Sequence, residues 1–170
     1  MRGNVGLDIK LAFFQNMAYT YDMCAKITAS KEDYLETIYD LSLVDEHVRS
    51  IDIATVLGVS RASVNKTLGI LKESGFIKHE PYGTVLLTKK GQTIAKNVRL
   101  RHNALHMFLE EVLGVESKKA AAEACEMEHA ISQETAQKLY EYLEKIGKSP
   151  GLDPLSKTHK VQSTYERSLK

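Results

Sequence analysis

The chain has 170 residues, 43% hydrophobic and 26% charged, with a formal net charge of +1. These are values of a soluble globular protein, long enough for one or two small domains with a core of ordinary size. Two cysteines are too few for a disulfide framework and no apolar run reaches 18 residues, which argues against a secreted disulfide scaffold or a membrane span and for a cytoplasmic protein.

The small net charge conceals an uneven distribution. Residues 47–101 carry ten Lys or Arg against Asp52, Glu73 and Glu80, whereas residues 102–147 carry nine Glu against Lys118, Lys119, Lys138 and Lys145. A basic half joined to an acidic half points to a polyanion-binding domain followed by a domain with other work.

In chain order, residues 1–29 form an extension whose apolar patch "LAFF" is too short for a signal-peptide core. "SKEDYLETIYDLSL" predicts a helix opening at Ser30, with Asp33 as the acid of a capping box and Leu35, Ile38 and Leu41 inward. "SIDIATVLG" predicts a short helix capped by Ser50 and closed by Gly58. "VSRASVNKTLGILKESG" predicts another, capped by Ser60, with Val64, Leu68 and Leu71 inward and Gly75 as its stop. "FIKHEPYGTVLLT" has the pattern of two short strands around Pro81 and Gly83. A long helix follows to Gly114, then helices over about 118–130 and 132–146, and a polar tail over 148–170. The expected fold is mostly α: a winged helix-turn-helix with a small β-hairpin wing over 30–100, then an all-helical dimerisation and metal-binding domain over 101–147.

Two short helices and a hairpin explain the basic half. The first helix braces the second, whose opening turn enters the major groove and offers small polar and basic side chains to base edges. Arg61, Ala62, Ser63, Asn65 and Lys66 occupy that turn, Lys78, His79 and Tyr82 lie on the wing, and Lys72, Lys89 and Lys90 are placed for phosphates. A lysine on a helix is most often a solvated residue, so the inference rests on turn, hairpin and charge together.

In the acidic half "EACEMEHAIS" sets Cys125, Glu128 and His129 at i, i+3 and i+4, one face if the segment is helical. Each has an ordinary explanation alone: Asp33 as a capping acid, Glu36 as a solvated residue, Cys125 as a small core residue, His102 and His106 as polar groups at the core edge. Together, Cys125, Glu128 and His129 on one helix, Asp33 and Glu36 on a second, and His102 with His106 on a third offer the mixed donors that a divalent transition metal takes. A hydrolase with Cys125 as nucleophile and His129 as base is the competing enzymatic reading, and a regulator of DNA sensing an organic ligand is a third.

The stretches "ASKEDYLETIYDL", "DIATVLGVSRASVNKTLGILKESGFIKHE", "VLLTKKGQTIAK", "RHNALHMFLEEVLGV" and "EACEMEHAIS" resemble the diphtheria toxin repressor and manganese transport regulator family, continuously from about residue 30 to 146. The resemblance implies a homodimeric, metal-activated repressor of metal-uptake genes, bound to double-stranded palindromic operator DNA, without membrane or organic cofactor. Carried over by position, it implies metal ligands at Asp33, Glu36, Cys125, Glu128 and His129, with His102, and on the residue reading His106, at a neighbouring ion site. The chain mixes two branches: acids at 33 and 36 match the manganese-responsive branch, whereas Cys125 matches the iron-responsive one. His106 stands where the iron branch is usually acidic, and Ala121 replaces a further histidine there. No third, SH3-like domain is expected. A thiolate softens the site toward Fe²⁺, Co²⁺ and Zn²⁺ and the acids harden it toward Mn²⁺, so Fe²⁺ or Mn²⁺ is expected in the cell and Zn²⁺, Co²⁺ or Ni²⁺ on purified protein. Leu113, Val115, Ile131, Leu139, Tyr140 and Leu143 form the apolar stripe expected at the dimer interface.

Overall fold

The structure is a computed structural model that describes residues 27–80 and 83–148. Residues 1–26, Pro81, Tyr82 and the tail beyond Lys148 lie outside the described residues, and with them the expected DNA contact of Tyr82. The chain order is α1 (Ala29–Val44), α2 (Ser50–Leu57), α3 (Arg61–Glu73), β1 (Ile77–His79), β2 (Val85–Leu87), α4 (Lys89–Met107), a π-helical turn (Phe108–Val112), α5 (Ser117–Met127) and α6 (Gln133–Lys145). A mostly helical chain with a winged helix-turn-helix and an all-helical second part is what the sequence led us to expect.

The winged helix is built around one apolar core. Leu35, Ile38 and Leu41 of α1, Ile53 of α2, and Val64, Leu68 and Leu71 of α3 are buried there with Val85 of β2 and Ile94 and Val98 of α4. α3 starts where Ser60 accepts a hydrogen bond from the Ser63 amide, and the chain leaves it through Gly75 at φ 74°, a left-handed turn that glycine adopts without a Cβ penalty. β1 and β2 pair antiparallel with Ile77 opposite Leu87, and the Val85 amide donates to the Val48 carbonyl, which ties the wing to the entrance of α2. The next helix is pinned to the hairpin by Thr88, whose hydroxyl donates to the Gly75 carbonyl and accepts from the Gly91 amide. Gly91 is required there, because a Cβ would overlap the Phe76 carbonyl oxygen.

Three local expectations are corrected. α1 begins at Ala29 with Thr28 at its cap, so Ser30 and Asp33 form no capping box and Asp33 is left for other contacts. Ser50 is the first residue of α2 rather than its cap. Arg49 holds that position and grips both carboxylate oxygens of Asp52 at 3.0 Å. The long helix keeps α-geometry only to Met107 and then widens into the π-helical turn before Gly114.

α4 is the spine of the molecule. Its first half closes the winged-helix core, and its second half packs against α5 and α6, with Leu105 and Leu109 meeting Ala120 and Ala124 in a second apolar cluster. The 100/101 boundary expected between domains falls inside this continuous helix. α1 also packs along α4, so a helix of the DNA-reading unit lies within reach of the turn that follows α5.

Candidate metal centre and nucleic-acid interface

On α1, Glu32, Glu36 and Asp40 recur every fourth residue and so form an acidic stripe beside the apolar one. α4 answers with Arg99, Arg101 and His102. Arg101 donates to Glu32 at 2.8 Å, and Arg99 reaches Asp40 at 2.6 Å and Glu36 at 3.6 Å. Buried charges persist when paired in this way, and the pairing fixes α1 on α4 in one register.

The turn after α5 adds the remaining groups. Glu128, at the end of α5 and 0% exposed, places Oε2 2.8 Å from His102 Nδ1. His129 sets Nδ1 2.7 Å from Glu32 Oε2, while its Nε2 stands 2.8 Å from Asp33 Oδ1 and 3.3 Å from Glu128 Oε1. Donor atoms of Asp33, Glu128 and His129 all lie within 4.8 Å of one another.

This trio fits a divalent ion on two observations. Among the described residues Glu128 Oε1 is buried without a hydrogen-bond partner, and His129 Nε2, equally buried, faces two carboxylate oxygens, Asp33 Oδ1 and Glu128 Oε1. Moreover, Glu32, itself held by Arg101, meets His129 Nδ1 from behind, as a carboxylate commonly orients a ligating imidazole.

The protonation states report the same crowding. Burial pushes Glu128 up to about 8, with Asp33 and Glu32 adding to the rise against His129 and Arg101. Burial and then the Glu128 charge push Glu36 up to about 7. Asp33 and then Glu32, close against the two ring nitrogens, push the His129 imidazolium up to about 10 despite its burial. His102 is lowered, chiefly by burial. Ligation requires deprotonated Glu128 and neutral His129, so below about pH 8 both must release protons. Apparent metal affinity is therefore expected to rise about tenfold or more per pH unit from pH 6 to 8. Titration calorimetry in buffers of different protonation enthalpy checks this; a pH-independent affinity would mean that neither residue ligates.

The other expected ligands are placed as follows. Glu36 lies beside the trio but against Arg99. Cys125 is exposed, one turn before Glu128 and outside the group of donors within 4.8 Å. His106 is buried, stacked on His102 with ring centroids 6.2 Å apart, and approaches Glu110 at 3.5 Å and the Ser117 carbonyl at 3.3 Å. Glu32, Asp40, Arg99 and Arg101 were missed by sequence reasoning. Their signal was the acid spacing 32, 36, 40.

At the other end, Arg61, Ala62, Ser63, Asn65 and Lys66 are all exposed on the opening turns of α3, as are Lys72 and Lys78. Arg61 and Asn65 line a cleft of about 520 Å³ with Arg49, Ser50, Ile51, His79 and Gly83, between recognition helix and wing. Lys90 is turned inward: its ammonium lies 4.5 Å from the Phe76 ring centroid and 3.5 Å from the Ser74 carbonyl oxygen. Of the stripe expected at the dimer interface, Leu113 is 58% exposed, Tyr140 is half-buried, and Val115, Ile131 and Leu139 pack on the Leu105–Ala124 cluster. Leu143 is wholly buried within the subunit, whereas Tyr142 of α6 and Ile146 at its cap are exposed.

A winged helix carrying an exposed basic recognition turn, joined through α1 and α4 to an Asp–Glu–His donor set with Glu128 buried at its base, defines a metal-dependent DNA-binding regulator. The family comparisons agree. Residues 26–85 match the iron dependent repressor N-terminal DNA binding domain, and residues 88–155 match the iron dependent repressor metal binding and dimerisation domain. The chain is 39% identical over 118 residues to the transcriptional regulator MntR of Salmonella typhimurium, covering 69% of this chain and 74% of that protein. It is 35% identical over 122 residues to an HTH-type transcriptional regulator of Methanocaldococcus jannaschii, covering 71% and 97%. Among solved structures it is similar to the manganese regulator SloR, with TM-score 0.60, 32% identity, and coverage of 67% of this chain and 53% of that one. The chain thus spans about half the length of that solved structure. It belongs to the family of diphtheria toxin repressor and manganese transport regulator proteins, two-domain metal-dependent transcriptional repressors rather than enzymes. No helix among the described residues is long and apolar enough to cross a membrane.

Proposed function

We propose that this protein represses metal-uptake genes when Fe²⁺ or Mn²⁺ occupies the Asp33–Glu128–His129 centre, binding a palindromic operator as a homodimer. The observation that carries the reading is that Asp33, from a helix of the DNA-reading unit, meets Glu128 and His129 from the second domain, with the buried Glu128 Oε1 lacking a hydrogen-bond partner among the described residues. A bound divalent ion would supply the positive charge that these carboxylates lack and a fixed set of ligand directions.

The chain's own residues do the rest. Asp33 sits on α1, whose other face enters the core that holds α3, so the tilt of α1 against α5 bears on the recognition helix. Glu32 and Arg101 keep the His129 ring facing the trio. Cys125, on the last turn of α5, is the thiol near the trio in sequence, and its participation would favour Fe²⁺ and Zn²⁺ over Mn²⁺. Leu113, Tyr142 and Ile146 offer apolar surface for a second copy, and a two-fold dimer would match the symmetry of paired half-sites.

The test is DNA affinity titrated against Fe²⁺, Mn²⁺ and Zn²⁺, anaerobically and under reducing conditions, on a duplex selected from a randomised palindromic library. Affinity is expected to rise with metal by roughly 5- to 150-fold, the usual range of allosteric coupling, and to fall again with chelator. In Cys125→Ala the response to Zn²⁺ should weaken more than the response to Mn²⁺. DNA affinity indifferent to all three ions would reject metal sensing in favour of another effector.

A further inference from the structure

Beside the trio, Glu36 and Asp40 direct carboxylate oxygens at one atom, Arg99 Nη1, at 3.6 Å and 2.6 Å. Their side chains are only 15% and 6% exposed, and that of Arg99 only 14%. Among the described residues, Asp40 Oδ1 and Arg99 Nε have no hydrogen-bond partner, so the arginine satisfies this pocket in charge more fully than in hydrogen bonds. Glu128 and His102 close the same region, joined at 2.8 Å. Two carboxylates converging on one largely buried cation, with the Glu128–His102 pair beside Glu36, offer donors of the kind that divalent metals take.

We propose that Arg99 is a resident cation of the metal centre: it fills the position between Glu36 and Asp40 that a second ion would take, and so limits each subunit to one divalent ion. Arg101 does not share this role, because it is spent on Glu32 behind His129. A guanidinium is always charged and holds carboxylates in a fixed fork, so it neutralises the pocket at every metal concentration. Glu36 is thereby kept from the ion at Asp33, Glu128 and His129, and the subunit answers to occupancy of a single site.

This inference rests on the metal-sensing reading, and counting ions separates the two. Equilibrium dialysis of the full chain against Mn²⁺, with bound metal measured by mass spectrometry, should give one ion per subunit. Arg99→Met should give two, and Arg99→Met with Asp40→Asn should return to one. Two ions in the unaltered protein, or one in Arg99→Met, would overturn the proposal while leaving metal sensing intact; none in the unaltered protein would count against metal sensing itself. Thermal unfolding provides a second readout, since an empty acidic pocket makes folding of Arg99→Met depend on Mn²⁺ more steeply than that of the unaltered chain. A variant unfolded without Mn²⁺ and folded with it supports the proposal, and one that stays unfolded at any Mn²⁺ concentration contradicts it.

Discussion

Glu128→Gln is expected to lower metal affinity by more than about 100-fold, beyond the upper end of what losing a supporting hydrogen bond to a ligand costs. Metal-stimulated DNA binding should disappear with it. The substitution is clean for a physical reason. Burial holds the Glu128 carboxyl up at about 8, so near pH 7 the metal-free protein carries it largely protonated. A glutamine reproduces the size and neutrality of that acid while removing its capacity to ligate as a carboxylate. Helical circular dichroism and the metal-free unfolding midpoint should therefore stay close to those of the unaltered chain. His129→Ala should also abolish the response but destabilise the metal-free fold by roughly 1–3 kcal/mol, because Glu32 and Asp33 lose the imidazolium they face. Calorimetric metal titration of both variants decides the matter, and a Glu128→Gln protein with unaltered affinity would make the cluster a packing feature.

The second large effect lies at the other end of the molecule. Arg61→Ala with Asn65→Ala should remove two side chains suited to base edges, each worth about 1–3 kcal/mol of discrimination. Preference for the selected operator over random duplex should then fall by roughly 30-fold or more. Both residues are exposed, so stability and metal affinity should not change. Lys72→Ala should behave differently, weakening all DNA alike and reducing the salt slope by about 0.9 for one lost phosphate contact. Binding measured across salt concentrations on both duplexes distinguishes these patterns; intact selectivity in the double variant would move the reading surface elsewhere.

Much of this architecture was legible where local chemistry decides it. Ser60 as a cap, Val64, Leu68 and Leu71 on one face and Gly75 in a left-handed turn are choices that neighbouring residues settle among themselves. Asp33, Glu128 and His129 could be suspected because their residue types are costly to gather without a cation. Glu32, Asp40, Arg99 and Arg101 could not be told from solvated helix residues, since what buries them is the packing of α1 on α4, some 60 residues away in sequence. Leu143 is likewise buried within the subunit, on the helix that packs against α4. Cys125 lies one turn before Glu128 on the exposed side of α5, which spacing alone does not reveal.

Metal-dependent repression requires an energetic link between the metal centre and the DNA-reading surface, and that link is reciprocal. Whatever factor the ion adds to operator affinity, operator DNA must add to the affinity for the ion. Mn²⁺ binding measured by calorimetry on the free protein and on its complex with the selected duplex is the most direct test. The expected result is tighter Mn²⁺ binding on DNA by the same factor that Mn²⁺ confers on DNA binding, with the difference abolished in Glu128→Gln. Mn²⁺ affinity unchanged by DNA would contradict it.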